Sequence, residues 1–289
     1  MKKTAWAAFP YPDEKFEYAG AALKKHWDRL HQGDCEPYPS AQQLTKLAKG
    51  NRALVDSIPE FAGDFAALSE RVLEAWRLYH RGDFHAAAEL GVSVGVPGYA
   101  AANKATAMHA HYLEQNKPAK LKLFQDIATR ADAARGILPN DPNSHYLFAN
   151  ALGRYSQGIS VLEALAQGLG AKVKDALERT LALQPHHAEA HAALGTYHAE
   201  VVSKVGGVLA RLTYGASKDE ALEHYERALA LHPHSAIVRI EYANGLLLLF
   251  GNRRLDDATR LYIEASKLEP CDAMEKLDVE FAKSRLEEE

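Results

Sequence analysis

The sequence predicts an all-α protein: a solenoid of helical hairpins with elongated insertions between the helices of two repeats and helical caps at both ends. Three observations predict it. Strand signals are scarce, because Ala, Leu, Glu, Lys and Arg dominate and β-branched residues rarely alternate with polar ones. Pro or Gly punctuates the chain at intervals of about one helix. Most decisive is self-similarity, since several segments carry small residues and a closing proline in one register.

The elements follow in chain order. From Asp13 to His31, Phe16, Leu23, Trp27 and Leu30 share one helical face, and Ser40 is placed to N-cap a helix running to about Ser57. Together these predict an N-terminal hairpin cap over residues 1–60. Gly82-Asp83-Phe84 followed by Ala87 reads as the turn inside a first hairpin. Four second helices then share the register. Ala221-Leu-Glu-His-Tyr225-Glu-Arg-Ala228-Leu-Ala-Leu-His-Pro233 and Ala258-Thr-Arg-Leu-Tyr262-Ile-Glu-Ala265-Ser-Lys-Leu-Glu-Pro270 superpose without gaps. Shorter copies are Ala176-Leu-Glu-Arg-Thr-Leu-Ala-Leu-Gln-Pro185 and Ala131-Asp-Ala-Ala134-Arg-Gly-Ile-Leu-Pro139. The small residues allow close helix approach, the aromatic fills the gap between hairpins, and proline ends the helix for want of an N–H. Each proline is followed at constant offset by a small residue of the next first helix: Ala149, Gly195 and Ala243. A last helix, Asp272–Glu289 with Met274, Leu277 and Phe281, predicts a C-terminal cap over 271–289 and leaves 61–270 as the repeat array.

These residues resemble the tetratricopeptide repeat, whose pattern is an aromatic, Leu-Gly, an aromatic, Ala, an aromatic, Ala and a terminal Pro. His191-Ala-Ala-Leu194-Gly195-Thr-Tyr197-His198 matches its first helix, with His in the aromatic slots. The resemblance covers residues 61–270, with one departure. A regular repeat is about 34 residues, whereas 46 separate Pro139 from Pro185 and 48 separate Pro185 from Pro233. The surplus lies at Gln157–Gly170 and Ser203–Ser217. Each insert is amphipathic, through Ile159, Leu162, Leu165, Ala166 and Leu169 in one and Val205, Val208, Leu209 and Leu212 in the other. They are expected to lengthen the helices or to add a short one at the groove rim, with Gly206, Gly207 and Gly215 as pivots. The second insert, Leu209-Ala-Arg-Leu-Thr-Tyr-Gly215 leading into Glu220-Ala-Leu-Glu, is similar to the regulator-of-microtubule-dynamics family and to tetratricopeptide-like components of bacterial tripartite transporters. The first resemblance implies a scaffold or tether, and the second a partner of a periplasmic solute-binding protein.

Composition narrows the function. The chain is 47% hydrophobic and 25% charged, which suits a folded protein with a substantial core. A net charge of -4 supplies no general field for phosphate backbones, so nucleic acid is not the expected partner. Cys35 and Cys271 form neither a disulfide framework nor a CxxC site. Met1-Lys2-Lys3 opens like a secretory leader, but Pro10, Pro12, Asp13 and Glu14 interrupt the apolar stretch Ala5 to Phe9. The strongest apolar run, Leu246 to Phe250, is far below a membrane span, and a cytoplasmic location is expected.

Chemistry is sparse. His187 and His191 are four apart with His198 and Glu200 beyond, a spacing that can hold zinc. Yet His191 and His198 occupy aromatic packing slots, while His186, His187, His232 and His234 flank helix-ending prolines, where imidazole suits the C-terminal dipole. They are read as structural, with no metal or cofactor expected. Gly91-Val-Ser-Val-Gly95 has the spacing of a nucleophile elbow without the strand that an elbow requires, and Walker A and HExxH motifs are missing.

The groove is the better candidate. Carried over from the tetratricopeptide pattern, the positions that contact ligand are Tyr146, Asn150 and Arg154, then Ala192, Thr196 and Glu200, then Ile240, Asn244 and Leu247. Asn150 and Asn244 are equivalent and can hydrogen-bond an extended peptide, since an amide both donates and accepts. The carboxylate clamp of some family members needs Lys one turn earlier, where Tyr146 and Ile240 stand here. The reading is therefore a non-catalytic scaffold that recognises a protein or peptide through its concave groove. One alternative is a small-molecule or lipid binder whose inserts lid an apolar cavity, and a second is a helical metalloenzyme built on His187–His198. The oligomeric state is not expressed in the sequence.

Overall fold

A computed structural model describes residues 6–61 and 63–287. Met1-Lys2-Lys3 and the final Glu288-Glu289 lie outside the described residues. Among those described, every regular element is helical. The described residues divide into two compact units, one drawn from 6–27, 36–159 and 272–274, the other from 28–35, 160–271 and 275–287.

In the first unit a 3₁₀ turn at Glu14–Phe16 precedes α1 (Ala22–Leu30), with Gly20 left-handed between them. The single helix expected from Asp13 is thus broken where only glycine is relaxed at positive φ. Ser40 does cap a helix, its hydroxyl accepting from Gln43 N–H, but α2 ends early, at Ala41–Ala48. Gly50 turns left-handed, and α3 (Arg52–Asp56) starts afresh under Asn51.

The hairpin predicted around Gly82 is α4 (Phe65–Arg81) and α5 (Phe84–Val94). Asp64 caps the first helix by accepting from Ala66 and Ala67, and Gly82 ends it at φ 95°. A side chain at Gly82 would also meet the Phe9 ring at 2.5 Å. Its inward stripe of Leu68, Val72, Leu73, Trp76 and Tyr79 is fully buried. Trp27 stands edge-on to Trp76, ring centroids 5.8 Å apart, and anchors itself by donating from Nε1 to Glu36 O at 2.7 Å. Gly91 serves packing: a side chain there would come within 2.6 Å of Gly98 O, and Ser93 Oγ donates to Leu90 O within the helix. The GxSxG spacing accordingly sits in a helix and not on an elbow. Next come α6 (Tyr99–Met108), a π-helical turn at His109–Leu113, α7 (Lys117–Ile137) and α8 (Pro142–Gly158). Asn116 and Asp141 cap the last two, and α7 packs along α8.

The second unit opens on the first insert, which adds a short helix, α9 (Val161–Ala166), before α10 (Leu169–Leu183). Then α11 (Ala188–Val205) is joined by the second insert, α12 (Gly207–Tyr214), to α13 (Lys218–Leu231). The regular hairpin α14 (Ala236–Phe250) and α15 (Leu255–Ser266) follows, and α16 (Ala273–Glu287) contributes residues 275–287. Helices α7, α10 and α13 each end two residues before their registered prolines.

The repeat logic is visible at Tyr225, which is fully buried between α11 and α14. A side chain on Gly195 would lie 2.8 Å from its ring, and one on Gly245 would lie 2.4 Å away. Beyond it, Ile240, Ala243, Leu246, Ala258, Leu261, Tyr262 and Ala265 form one core with Val279 and Ala282 of α16. Segment 28–35 lies on this unit through Glu189 N–H to Gly33 O and a two-pronged pair from Arg29 to Glu275 at 2.7 and 3.2 Å.

His232, expected at the dipole end of its helix, is the C-cap of α13 and is 5% exposed. Burial and then the nearby Arg29 push its pKa down to about 4, against smaller opposing effects of Glu189 and Asp34. The folded ring is therefore neutral where the unfolded one is protonated, so stability falls as pH drops from about 6.5 to about 4. This group's full contribution is about 3 kcal/mol. Urea unfolding at pH 7 and pH 4.5 should show a shallower pH dependence for His232→Leu than for wild type. An unchanged dependence would remove His232 from the account.

Candidate functional site

The predicted contact residues fall on the first helices of the repeats, and each unit holds its own set. In the first unit, α8 carries Tyr146, Asn150 and Arg154. Tyr146 is buried, and its hydroxyl receives Asn150 Nδ2 at 3.4 Å. Arg154 is half-buried and reaches Gln157 Oε1 at 3.4 Å.

In the second unit, α11 and α14 lie side by side. The Thr196 hydroxyl donates to Glu241 Oε2 at 3.0 Å and accepts from Tyr225 OH at 3.1 Å. Asn244 Oδ1 accepts from Tyr262 OH at 2.6 Å, which leaves its amide N–H groups directed elsewhere. Glu200 pairs with Lys204 one turn on. Leu247 is partly buried against the core that holds Ile240, which is only 1% exposed. Ile240 and Ala192 are core positions, the latter packed on Ala228 and Val238. The α14 sequence is apolar nearly all round, so its periodicity does not choose a buried face. The two repeat tyrosines, read in sequence only as fillers, thus also aim Thr196 and Asn244 from behind.

The inserts do not bury their apolar stripes. Leu162 is 80% exposed, Val208 78% and Leu212 81%, with Val161, Leu165 and Leu209 about half exposed. Leu169, now the first residue of α10, turns inward, as do the small Ala210 and Ala216. Six large apolar side chains on two short helices are more than a solvated surface ordinarily carries.

The histidines part company. His187 is fully buried and caps α11, its Nδ1 accepting from Ala190 N–H at 3.0 Å; it serves a helix N-terminus and not a C-terminal dipole. His191 and His198 meet His224 of α13 instead. His191 Nδ1 is 2.9 Å from His224 Nδ1, while its Nε2 is 3.2 Å from Pro185 O. His198 stacks on His224 with centroids 5.7 Å apart and planes 15° from parallel. Burial lowers the pKa of all three, that of His198 to about 4. Glu220 lies one turn before His224, and one ligand atom each from His198, Glu220 and His224 fall within 4.8 Å of one another. Sequence reasoning missed His224 and Glu220 because they belong to a different helix from the His187–His198 run.

A family model described as regulator of microtubule dynamics protein 1-3 matches residues 100–283, from α6 to α16 and across both inserts. The chain belongs to this family. A crystal structure of a thermophilic TPR protein of Thermus thermophilus is similar in fold, with a TM-score of 0.55 at 17% identity over 76% of this chain and 99% of that one. The family member described here thus has a TPR-like all-α fold. No curated protein matches its sequence. Among the described residues no helix is long and apolar enough to cross a membrane.

Proposed function

We propose that the chain is a non-catalytic scaffold that holds a protein or peptide partner along the exposed faces of its first helices. The observation that carries this is the polar strip on α11 and α14. There Thr196 and Asn244 are each held by a tyrosine hydroxyl from behind, next to Glu200 and the partly exposed Leu247. Donors and acceptors fixed by the layer beneath lose little entropy when a peptide backbone pairs with them. In the first unit, Asn150 and Arg154 on α8 offer the equivalent contacts. The exposed leucines of α9 and α12 supply apolar area for the same partner. In the alternative of an insert-lidded apolar cavity, these leucines turn inward over a ligand. Protein interaction agrees with the fold and with family membership, and the cysteine usage fits a cytoplasmic location.

The test is affinity capture with wild type and with Asn150→Ala/Asn244→Ala, followed by titration of each captured partner. An amide hydrogen bond lost from a buried interface costs about 1–3 kcal/mol, so binding should weaken at least about tenfold. Equal capture and equal affinity would exclude these first-helix faces as the binding surface.

A further inference from the structure

His198, Glu220 and His224 meet where α11 packs on α13, and their chemistry is that of a ligand set. We propose that these three side chains bind one divalent transition-metal ion, with zinc the fitting occupant, and that His191 positions His224 from behind.

The backbone arrangement favours it. Glu220 and His224 are four residues apart on α13, so both project from one face. His198 comes from α11, the partner helix of the same hairpin. The second insert places the set, because after Gly215 the chain returns at Ser217, whose hydroxyl receives Glu220 N–H at 3.2 Å. The Ser217 N–H points to His198 Nδ1 at 3.4 Å. Accepting there puts the His198 proton on Nε2, so the ring ligates through Nδ1 once that long contact is given up, or through Nε2 once the proton moves to Nδ1. Ligand atoms around zinc bonded at about 2.0–2.2 Å stand about 3–3.5 Å apart. Closing the present 4.8 Å limit takes a movement of the Glu220 side chain, which is long and exposed, and a turn of the His198 and His224 rings out of their near-parallel arrangement so that their in-plane lone pairs meet.

The hydrogen bonds behind His224 prepare its tautomer. Pro185 O can only accept, so His191 carries its proton on Nε2 and its Nδ1 is a lone pair. His224 must then donate from Nδ1 to His191, which leaves His224 Nε2 as the lone pair turned away from that bond. A ligating imidazole whose other N–H is held by an acceptor is the usual outer-shell arrangement of metal-bound histidine. Two imidazole nitrogens and one carboxylate are a zinc donor set that leaves a coordination position for water or for a group of a bound partner.

The experiment uses the full chain without a histidine tag, stripped with chelator and titrated with zinc chloride by calorimetry. One ion per chain is expected. Glu220→Gln, on an exposed first-turn position that does not endanger folding, should weaken binding by more than about 100-fold, as should His224→Ala. His191→Phe keeps the aromatic slot filled and should weaken it by about 10–100-fold, the range for outer-shell changes. Cobalt(II) should give visible d–d absorption in wild type that is lost in Glu220→Gln. Absence of stoichiometric zinc binding overturns the proposal, and so does wild-type affinity in Glu220→Gln and His224→Ala with circular dichroism unchanged.

Discussion

Tyr225→Ala is expected to destabilise the second unit by about 3–5 kcal/mol, the range for deleting a fully buried aromatic ring. The ring has no exposure, stacks on Tyr242 at 5.1 Å with planes 13° apart, and fills a slot floored by Gly195 and Gly245. Gly195 and Gly245 have no side chain with which to fill the void, which keeps the cavity term large. Tyr225→Phe separates ring from hydroxyl: it keeps the ring, removes the 3.1 Å bond to Thr196 and should cost about 1 kcal/mol. The opposite change, Gly245→Ala, puts a methyl 2.4 Å from the ring and should cost about 1–3 kcal/mol through overpacking. Urea unfolding followed by circular dichroism measures all three. A cost for Tyr225→Ala below that of Tyr225→Phe would mean that the ring is not the keystone of these two hairpins.

That slot was legible in sequence, and the reason is physical. Tyr225 and Tyr262 stand at equal offsets from closing prolines, and an aromatic at that offset has one place to go when small residues recur on the adjoining helices. The positions of the inserts were equally legible, because they are the surplus over a regular period. Their orientation was not. An amphipathic stripe states that Leu162, Leu165, Val208 and Leu212 share a face, but not that anything covers it, and here they face outward. Ile240 illustrates the converse difficulty: on a helix apolar nearly all round, a position carried over from a family pattern fell in the core. The histidine cluster was hidden for another reason. His191 and His198 could be paired with His224 only through the packing of α11 on α13, and the proton arrangement depends on a backbone carbonyl at Pro185 that no motif marks.

Asp272→Ala should be the most damaging single polar change in the first unit, at about 3 kcal/mol. Asp272 Oδ2 lies 2.8 Å from His80 Nδ1, and both side chains are only 1% exposed. His80 sits in the buried stripe of α4, its ring stacked on Trp76 with centroids 5.8 Å apart and planes 22° from parallel. Removing the carboxylate strips the Nδ1 proton of its acceptor in a place water does not reach, so the desolvation cost of that group is no longer offset. Asp272→Asn retains an oxygen acceptor and should cost only about 1 kcal/mol. The double change His80→Phe/Asp272→Leu takes away both hydrogen-bonding partners at once and should recover most of the loss, because replacing both buried partners by apolar groups leaves no polar atom unsatisfied. The readout can be made specific to this unit, because Trp6, Trp27 and Trp76 are the only tryptophans and all fall within it. Their fluorescence should report an earlier unfolding midpoint for Asp272→Ala, while Tyr225→Ala should move the far-ultraviolet transition more than the tryptophan signal. If the double variant is no more stable than Asp272→Ala, the loss comes from the shape of residues 272–274 and not from the His80 hydrogen bond.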